Sequence, residues 1–306
     1  MEQFEVTILG CGSALPTSRH NGTSQIVNIR GKYFMIDCAE GTQLNLRKSH
    51  VNITRINTIL LSHLHGDHCL GLAGYVSTLG LLGRTAPLHI YGPKDIESVF
   101  KPMISYFSPH LEFEVVYHEL DTSQNTLIYE DRSLTIHTIP LTHRVPCCGY
   151  LFKEKPGLPH IRVDALERYG IPYSQINNIK NGMDFTTSDG KTISNEELTT
   201  PPDAPRSYAF CSDTSFKPDI IPIIRESTLL YHEATYGEDK KDLAQKYAHS
   251  TAKEAGIIAR EANVGKLVIG HYSQRYEDET VLLRESLKEF PNTELANEGK
   301  TFFVGQ

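Results

Sequence analysis

Four potential metal ligands crowd six consecutive positions of this 306-residue chain: in SHLHGDHC, residues 62–69, His63, His65, Asp67 and His68 surround a single glycine, Gly66. Neutral imidazole and carboxylate are donors that suit zinc and its neighbours. One histidine in such a place is readily a packing residue; three with an aspartate are not. The spacing also argues against one shared tetrahedral site, because His63 and His65 project alike while Asp67 and His68, beyond the turn at Gly66, point elsewhere. Two metals are therefore expected, each completed by ligands from later in the chain.

The cluster falls where INTILL (56–61), an apolar run rich in β-branched residues, gives way to CLGLAGYVSTLGLLG, whose apolar residues have helical spacing. A strand-to-helix loop is the usual place for chemistry in an α/β layer. The arrangement recurs along the chain. LTIHTIP runs into a loop carrying His143, and RSYAFCSDTSF, TLLYHEATY and KLVIGHYSQRY read as strands ending at Asp213, at His232 and Glu233, and at His271. YFMID ends in Asp37, whose place fits capping a helix that begins near Glu40 and fits orienting a metal ligand from behind, two compatible readings. AHSTAKEAGIIAREANVG predicts a helix opened by a capping box, Thr251 with Glu254, and closing near Asn263 and Gly265. His249 thus precedes a helix N-terminus, where unpaired amides favour negative charge.

Charge advertises no partner: a net of -7 is the opposite of a chain coated for nucleic acid. No apolar run of membrane-spanning length occurs, and the first residues read as the strand FEVTIL, so a cytoplasmic enzyme without a signal peptide is expected. Six cysteines without CxxC spacing read as reduced core residues. GCGSALPTSRHN, after the first strand, is glycine-rich but lacks the GK[ST] of a Walker loop. QIVNIR and YFMID predict a hairpin turning at Gly31 and Lys32.

From 153 to 205 the periodicity fails, apart from one short amphipathic piece near Val163–Tyr169. A segment this long with no strand of its own is functional or disordered. Its first part, 153–182, carries Lys153, Lys155, Arg162, Arg168 and Lys180 against three acids, opposite in sign to the whole chain. These five, with Arg19, His20 and Arg275 nearer the metal motifs, are the candidates for binding an anionic substrate.

DCAEGTQ at Asp37, SHLHGDH, the His143 loop, CSDT at Asp213, HEATY, AHST and GHYSQRY together resemble the metallo-β-lactamase superfamily, and within it the ribonuclease Z family of tRNA 3′-processing endonucleases, over nearly the whole length. The HxHxDH pattern specifies only the superfamily; HEATY, AHST and HYSQRY narrow it. The resemblance implies one α/β domain over 1–306, a four-layer αβ/βα sandwich with metals at one edge of two sheets, and a flexible arm at 153–205 that serves as a tRNA-binding exosite. It implies two zinc ions per chain, one on His63, His65 and His143, the other on Asp67, His68 and His271, with Asp213 bridging. It also implies a homodimer that removes the 3′ trailer from precursor tRNA and leaves a 3′-hydroxyl. Two departures stand out: Ala39 replaces a usual glycine, and Ser18 and His20 stand where Lys and Arg are usual.

A ribose alkoxide leaves only with a proton donor. His249, oriented by Glu233, is the candidate acid, and Asp67 the candidate to assist the nucleophile. A small-molecule diesterase acting on cyclic nucleotides would share every ligand but has no use for the arm. A metal-stabilised RNA-binding protein without activity would not need so complete a set.

Overall fold

The structure, a computed structural model, describes residues 3–305. Antiparallel strands β1 (Phe4–Gly10), β2 (Ser24–Ile29) and β3 (Lys32–Ile36) open the chain, and β4 (Ile56–Leu60), β5 (Leu88–Pro93) and β6 (Val115–Leu120) extend the sheet in parallel. The β2–β3 hairpin turns at Arg30 and Gly31, one residue earlier than expected. Both have positive φ, 53° and 80°, the geometry that matches strand twist.

Strands β7 (Leu127–Glu130), β8 (Leu134–Pro140) and β9 (Cys148–Glu154) begin a second sheet. β10 (His160–Ile161), β11 (Phe185–Thr186), β12 (Thr192–Ile193) and β13 (Thr199–Thr200) form two-stranded pairs within the insertion. β14 (Ser207–Cys211), β15 (Leu229–Glu233), β16 (Leu267–Gly270) and β17 (Thr293–Leu295) complete the second sheet, and β18 (Thr301–Phe303) returns to pair with β1. Each large sheet has seven strands, ordered β18-β1-β2-β3-β4-β5-β6 and β17-β16-β15-β14-β9-β8-β7.

Alternation along β3 shows how the layers stack. Met35 joins a core with Leu46, Tyr75, Val76 and Phe100 on the helical side. Phe34 points the other way, its ring edge-on to Phe152 of β9 at 5.6 Å, and Phe152 lies 6.1 Å from Tyr208 of β14. The Tyr208 hydroxyl donates to Gln25 of β2, and that of Tyr150 to the Leu61 carbonyl at 2.6 Å. The two sheets therefore face each other through aromatic side chains, each contributing about 1.5–3 kcal/mol by burial. Helices Leu72–Leu81 and Ile96–Phe107 cover the first sheet; Ala252–Glu261, opened by the expected Thr251–Glu254 capping box, packs on β15 and β16. This is the four-layer arrangement that the resemblance implies.

The chain divides into two units, the larger comprising Met1–Tyr129, Ile136–Phe152 and Ser207–Gln306, the smaller Glu130–Thr135 and Lys153–Arg206. The smaller unit is more structured than its sequence pattern indicates. Its short strands and the helices Val163–Tyr169, Ile176–Lys180 and Asn195–Leu198 enclose a core of Ala165, Ile171, Ile179, Ile193 and Leu198. Glu154 and Arg206 close its base as a two-point ion pair, with Arg206 Nε and Nη2 each 2.8 Å from a carboxylate oxygen. Among the described residues no helix is long and apolar enough to cross a membrane.

Candidate metal centre

After β4, residues 61–65 form a loop that bends at Ser62 and is extended at His65, and Gly66–Cys69 makes one helical turn. Two glycines outside the motif seat this turn. A Cβ on Gly22 would lie 2.8 Å from the Asp67 carbonyl oxygen, and one on Gly71 2.0 Å from that of Ala39. Close approach lets the Thr23 amide donate to Asp67 O and the Gly71 amide to Cys38 O, both at 2.9 Å.

The seven expected ligands converge in two groups. His63 Nε2 and His143 Nε2 lie 3.1 and 3.2 Å from His65 Nδ1, and both approach Asp213 Oδ2, at 3.6 and 3.7 Å. His68 Nε2 lies 3.3 Å from His271 Nε2 and 3.6 Å from Asp67 Oδ2, and these two imidazoles approach Asp213 Oδ1, at 3.4 and 3.1 Å. Each oxygen of Asp213 thus faces one group. Oδ1 is buried and accepts no hydrogen bond despite those imidazoles, an arrangement that suits a shared cation.

The far side of three of these rings is held. His68 Nδ1 donates to Asp37 Oδ2 at 2.7 Å, His143 Nδ1 to the Ala248 carbonyl at 2.9 Å, and His271 Nδ1 pairs with Thr235 Oγ1 at 2.8 Å. Proton-holding partners behind a ring leave the inward nitrogen with its lone pair. Asp37 thus resolves toward ligand support: it also accepts from the Ser62 amide and hydroxyl, while the following helix, Thr42–Lys48, starts at Gly41 without a side-chain cap.

Electrostatics point the same way. Burial holds His63, His65 and His143 below the ordinary histidine value, as neutral donors. Burial opposes charge on His68 too, but Asp213, Asp37 and Asp67 outweigh it and push the ring up to about 10. Among the described residues no Lys or Arg pairs with Asp37, Asp67, Asp213 or Glu233. So many buried carboxylates call for positive charge beside them, which the raised His68 and His249 partly provide and which bound metal would also supply. The donor set, its convergence and its charge fit a pair of divalent ions.

Beside this set, His249 Nδ1 donates to Glu233 Oε1 at 2.9 Å and lies 4.0 Å from Asp213 Oδ2. Glu233 is fixed by the amides of Thr214, Thr235 and Ser250 and by the Thr235 hydroxyl. Burial opposes the imidazolium of His249, yet the charge and hydrogen bond of Glu233 lift it to about 9. Burial likewise opposes ionisation of Glu233, but His249 takes it down to about 2.

His232, on the same strand, is fully buried away from this group, its Nδ1 donating to the Glu233 carbonyl at 2.7 Å. His20, expected at the substrate, is instead enclosed: Nδ1 meets Glu298 Oε2 at 3.0 Å and Nε2 meets Glu279 Oε1 at 3.2 Å. Arg19 is likewise occupied by Glu279 and by the carbonyls of Tyr276 and Glu277. Arg275 is exposed. On the insertion, Lys155 pairs with Glu130 and Arg162 donates to the Thr199 carbonyl, whereas Lys153 and Arg168 are exposed and Lys180 is half-buried. A cavity of about 380 Å³ opens beside the metal loop, lined by Pro16, Ala39, Glu40, His65, Asp67 and Arg144 among others. Sequence reasoning missed Thr235 and Ala248; HEATY carries a signal for the first, while the second acts only through its backbone.

A family model described as anti-Pycsar protein Apyc1 matches residues 4–144. The chain is 54% identical over 298 residues to a ribonuclease Z of Bacteroides fragilis, covering 97% of this chain and 98% of that protein. It is 49% identical over 298 residues to a ribonuclease Z of Porphyromonas gingivalis, with the same coverage. Its structure is similar to human tRNase Z, short form (TM-score 0.72, 23% identity, 99% and 100% of the two chains) and to the metallo-β-lactamase fold protein YhfI of Bacillus subtilis (0.69, 18%, 99% and 100%).

Proposed function

The chain belongs to the ribonuclease Z family of metallo-β-lactamase-fold hydrolases, and from that premise we propose that it is an endoribonuclease that removes the 3′ trailer of precursor tRNA, leaving a 3′-hydroxyl, with two zinc ions per chain. The observation that carries the metal-dependent hydrolysis is Asp213, whose two oxygens each face a separate group of imidazoles; the choice of precursor tRNA is supported by the relationship to the ribonuclease Z proteins. In this reading His63, His65 and His143 hold one ion, Asp67, His68 and His271 the other, and Asp213 both. When bound, the ions supply Lewis acidity, acidifying the attacking water and offsetting charge that develops at phosphorus.

The chain's own groups do the rest. Asp67, its Oδ2 tied to the Ala14 amide at 2.6 Å, is placed to hold the attacking water as well as a metal. His249 delivers the proton that the departing ribose oxygen needs, and Glu233 keeps it charged and aimed. The smaller unit serves as the handle for tRNA.

Six buried, unpaired cysteines support a reducing compartment, the cytoplasm. Exposed Leu81, Tyr106 and Phe107, brought near one another where Ser77 and Ser108 touch, support a homodimer through that helical face. The decisive experiment is to incubate zinc-loaded protein with one precursor tRNA and sequence the 3′ ends. A single cut leaving a 3′-hydroxyl on the tRNA is expected. An uncut trailer together with rapid hydrolysis of a cyclic nucleotide would move the assignment to a small-molecule diesterase.

A further inference from the structure

Arg19, near the metal centre, is committed to Glu279. Arg144 is not. It follows the candidate ligand His143, is exposed, lines the cavity with His65, Asp67 and Glu40, and has no carboxylate partner among the described residues. Its guanidinium instead lies over the ring of Tyr247, 5.5 Å from the centroid, and Lys246 places a second cation 5.4 Å from the same ring.

Local structure explains why the stack forms. Ala248 has φ of +56° at the end of helix Lys241–Tyr247, which turns its carbonyl to accept from His143 Nδ1. That bond joins the two loops one residue away from Arg144 on one side and Tyr247 on the other. The positive charges of Arg275 and Arg144 both bear on Tyr236, whose ring lies 6.1 Å from that of His249. Arg144 and Lys246, two like charges on the Tyr247 ring, repel, an arrangement that an anion relieves.

We propose that Arg144 is an RNA-contacting residue, its guanidinium held on Tyr247 at the rim of the cavity to take a backbone phosphate next to the scissile one. A planar fork that presents two N–H donors to one phosphate is the geometry guanidinium offers and ammonium does not. The inference rests on the reading of the site as a ribonuclease acting on precursor tRNA.

The test uses full-length zinc-loaded protein with Arg144→Ala, Arg144→Lys and Tyr247→Leu, reading kcat and KM on precursor tRNA across a salt series, with zinc content alongside. Arg144→Ala should raise KM about tenfold to a hundredfold, the worth of one charged hydrogen-bonded contact, with a smaller change in kcat. It should also make the dependence of log kcat/KM on log salt shallower by about 0.7–0.9, one phosphate contact. Arg144→Lys should keep the salt slope while losing part of the gain in KM, and Tyr247→Leu should raise KM at full zinc content. An unchanged salt slope in Arg144→Ala overturns the proposal. So does an equal loss on precursor tRNA and on bis(p-nitrophenyl) phosphate accompanied by lost zinc, which would place Arg144 behind His143. Wild-type protein that leaves precursor tRNA uncut overturns the functional reading and this inference together.

Discussion

Each oxygen of Asp213 faces a different set of donors, so replacing it removes a ligand from both. Asp213→Ala should therefore lose hydrolysis and at least one of the two metals by elemental analysis; full metal content with normal turnover would take the bridging role away. His249 separates chemistry from binding. Its Nδ1 bonds Glu233 at 2.9 Å and stands farther, at 4.0 Å, from Asp213, so His249→Ala should slow precursor-tRNA cleavage by roughly 10²- to 10⁴-fold but barely slow bis(p-nitrophenyl) phosphate, whose phenolate leaves without a proton. Equal losses would make His249 structural. Asp37 lies one step further back, behind His68 at its Nδ1, and Asp37→Asn should weaken zinc affinity about 10- to 100-fold while excess zinc restores turnover. The motif histidines were legible in the sequence because their spacing leaves little else for them to do. His20 was not: the carboxylates that enclose it, Glu279 and Glu298, lie more than 250 residues away along the chain, beyond any local pattern.

At the scale of elements, the readable signal was an apolar run ending in a polar side chain, and β4, β14, β15 and β16 all deliver their chemistry that way. What a strand pattern cannot show is how the chain leaves the strand. Asp37, Ala248 and His271 have φ of +57°, +56° and +63°, a region that costs non-glycine residues about 1–2 kcal/mol each. All three lie at the metal centre, and each is compensated by a contact there: Asp37 with His68, Ala248 with His143, His271 with Thr235. Strain of this kind collects at functional sites. The helix Ala252–Glu261 shows the opposite case, a start signal written locally in full. Thr251 accepts from the Glu254 amide and Glu254 from the Thr251 amide. Thr251→Ala should destabilise the helix start by about 1 kcal/mol, seen as faster hydrogen exchange at the amides of 253–255. Unchanged exchange would mean that packing on β15 and β16 holds the helix start without its cap.

The whole molecule poses the question of what the smaller unit adds. Its strands are two residues long and its core contains five side chains, too little periodicity to register in the sequence, although the boundary at 153 was visible as a loss of pattern. Charge does not explain it as an RNA clamp: the first part is basic, but 153–206 as a whole holds seven Lys and Arg against eight Asp and Glu. Any grip on tRNA must then come from a few exposed cations such as Lys153 and Arg168 together with exposed Leu158, Val163 and Tyr173. Binding by the intact protein should accordingly release few counterions, on the order of two to four. The excision that isolates this contribution follows from the structure. Cutting inside 155–183 would split the small core, whereas removing 156–204 takes it whole and keeps the Glu154–Arg206 pair, with β9 and β14 adjacent in the sheet for a short Gly/Ser linker to join. Binding energy from groups remote from the reacting atoms orients substrate without altering the chemistry. The excised protein should therefore keep its zinc and its hydrolysis of bis(p-nitrophenyl) phosphate while affinity for precursor tRNA falls sharply. Parallel titrations of both substrates with intact and excised protein decide it, and undiminished cleavage of precursor tRNA after excision would remove the smaller unit from recognition and leave the larger unit to bind the tRNA.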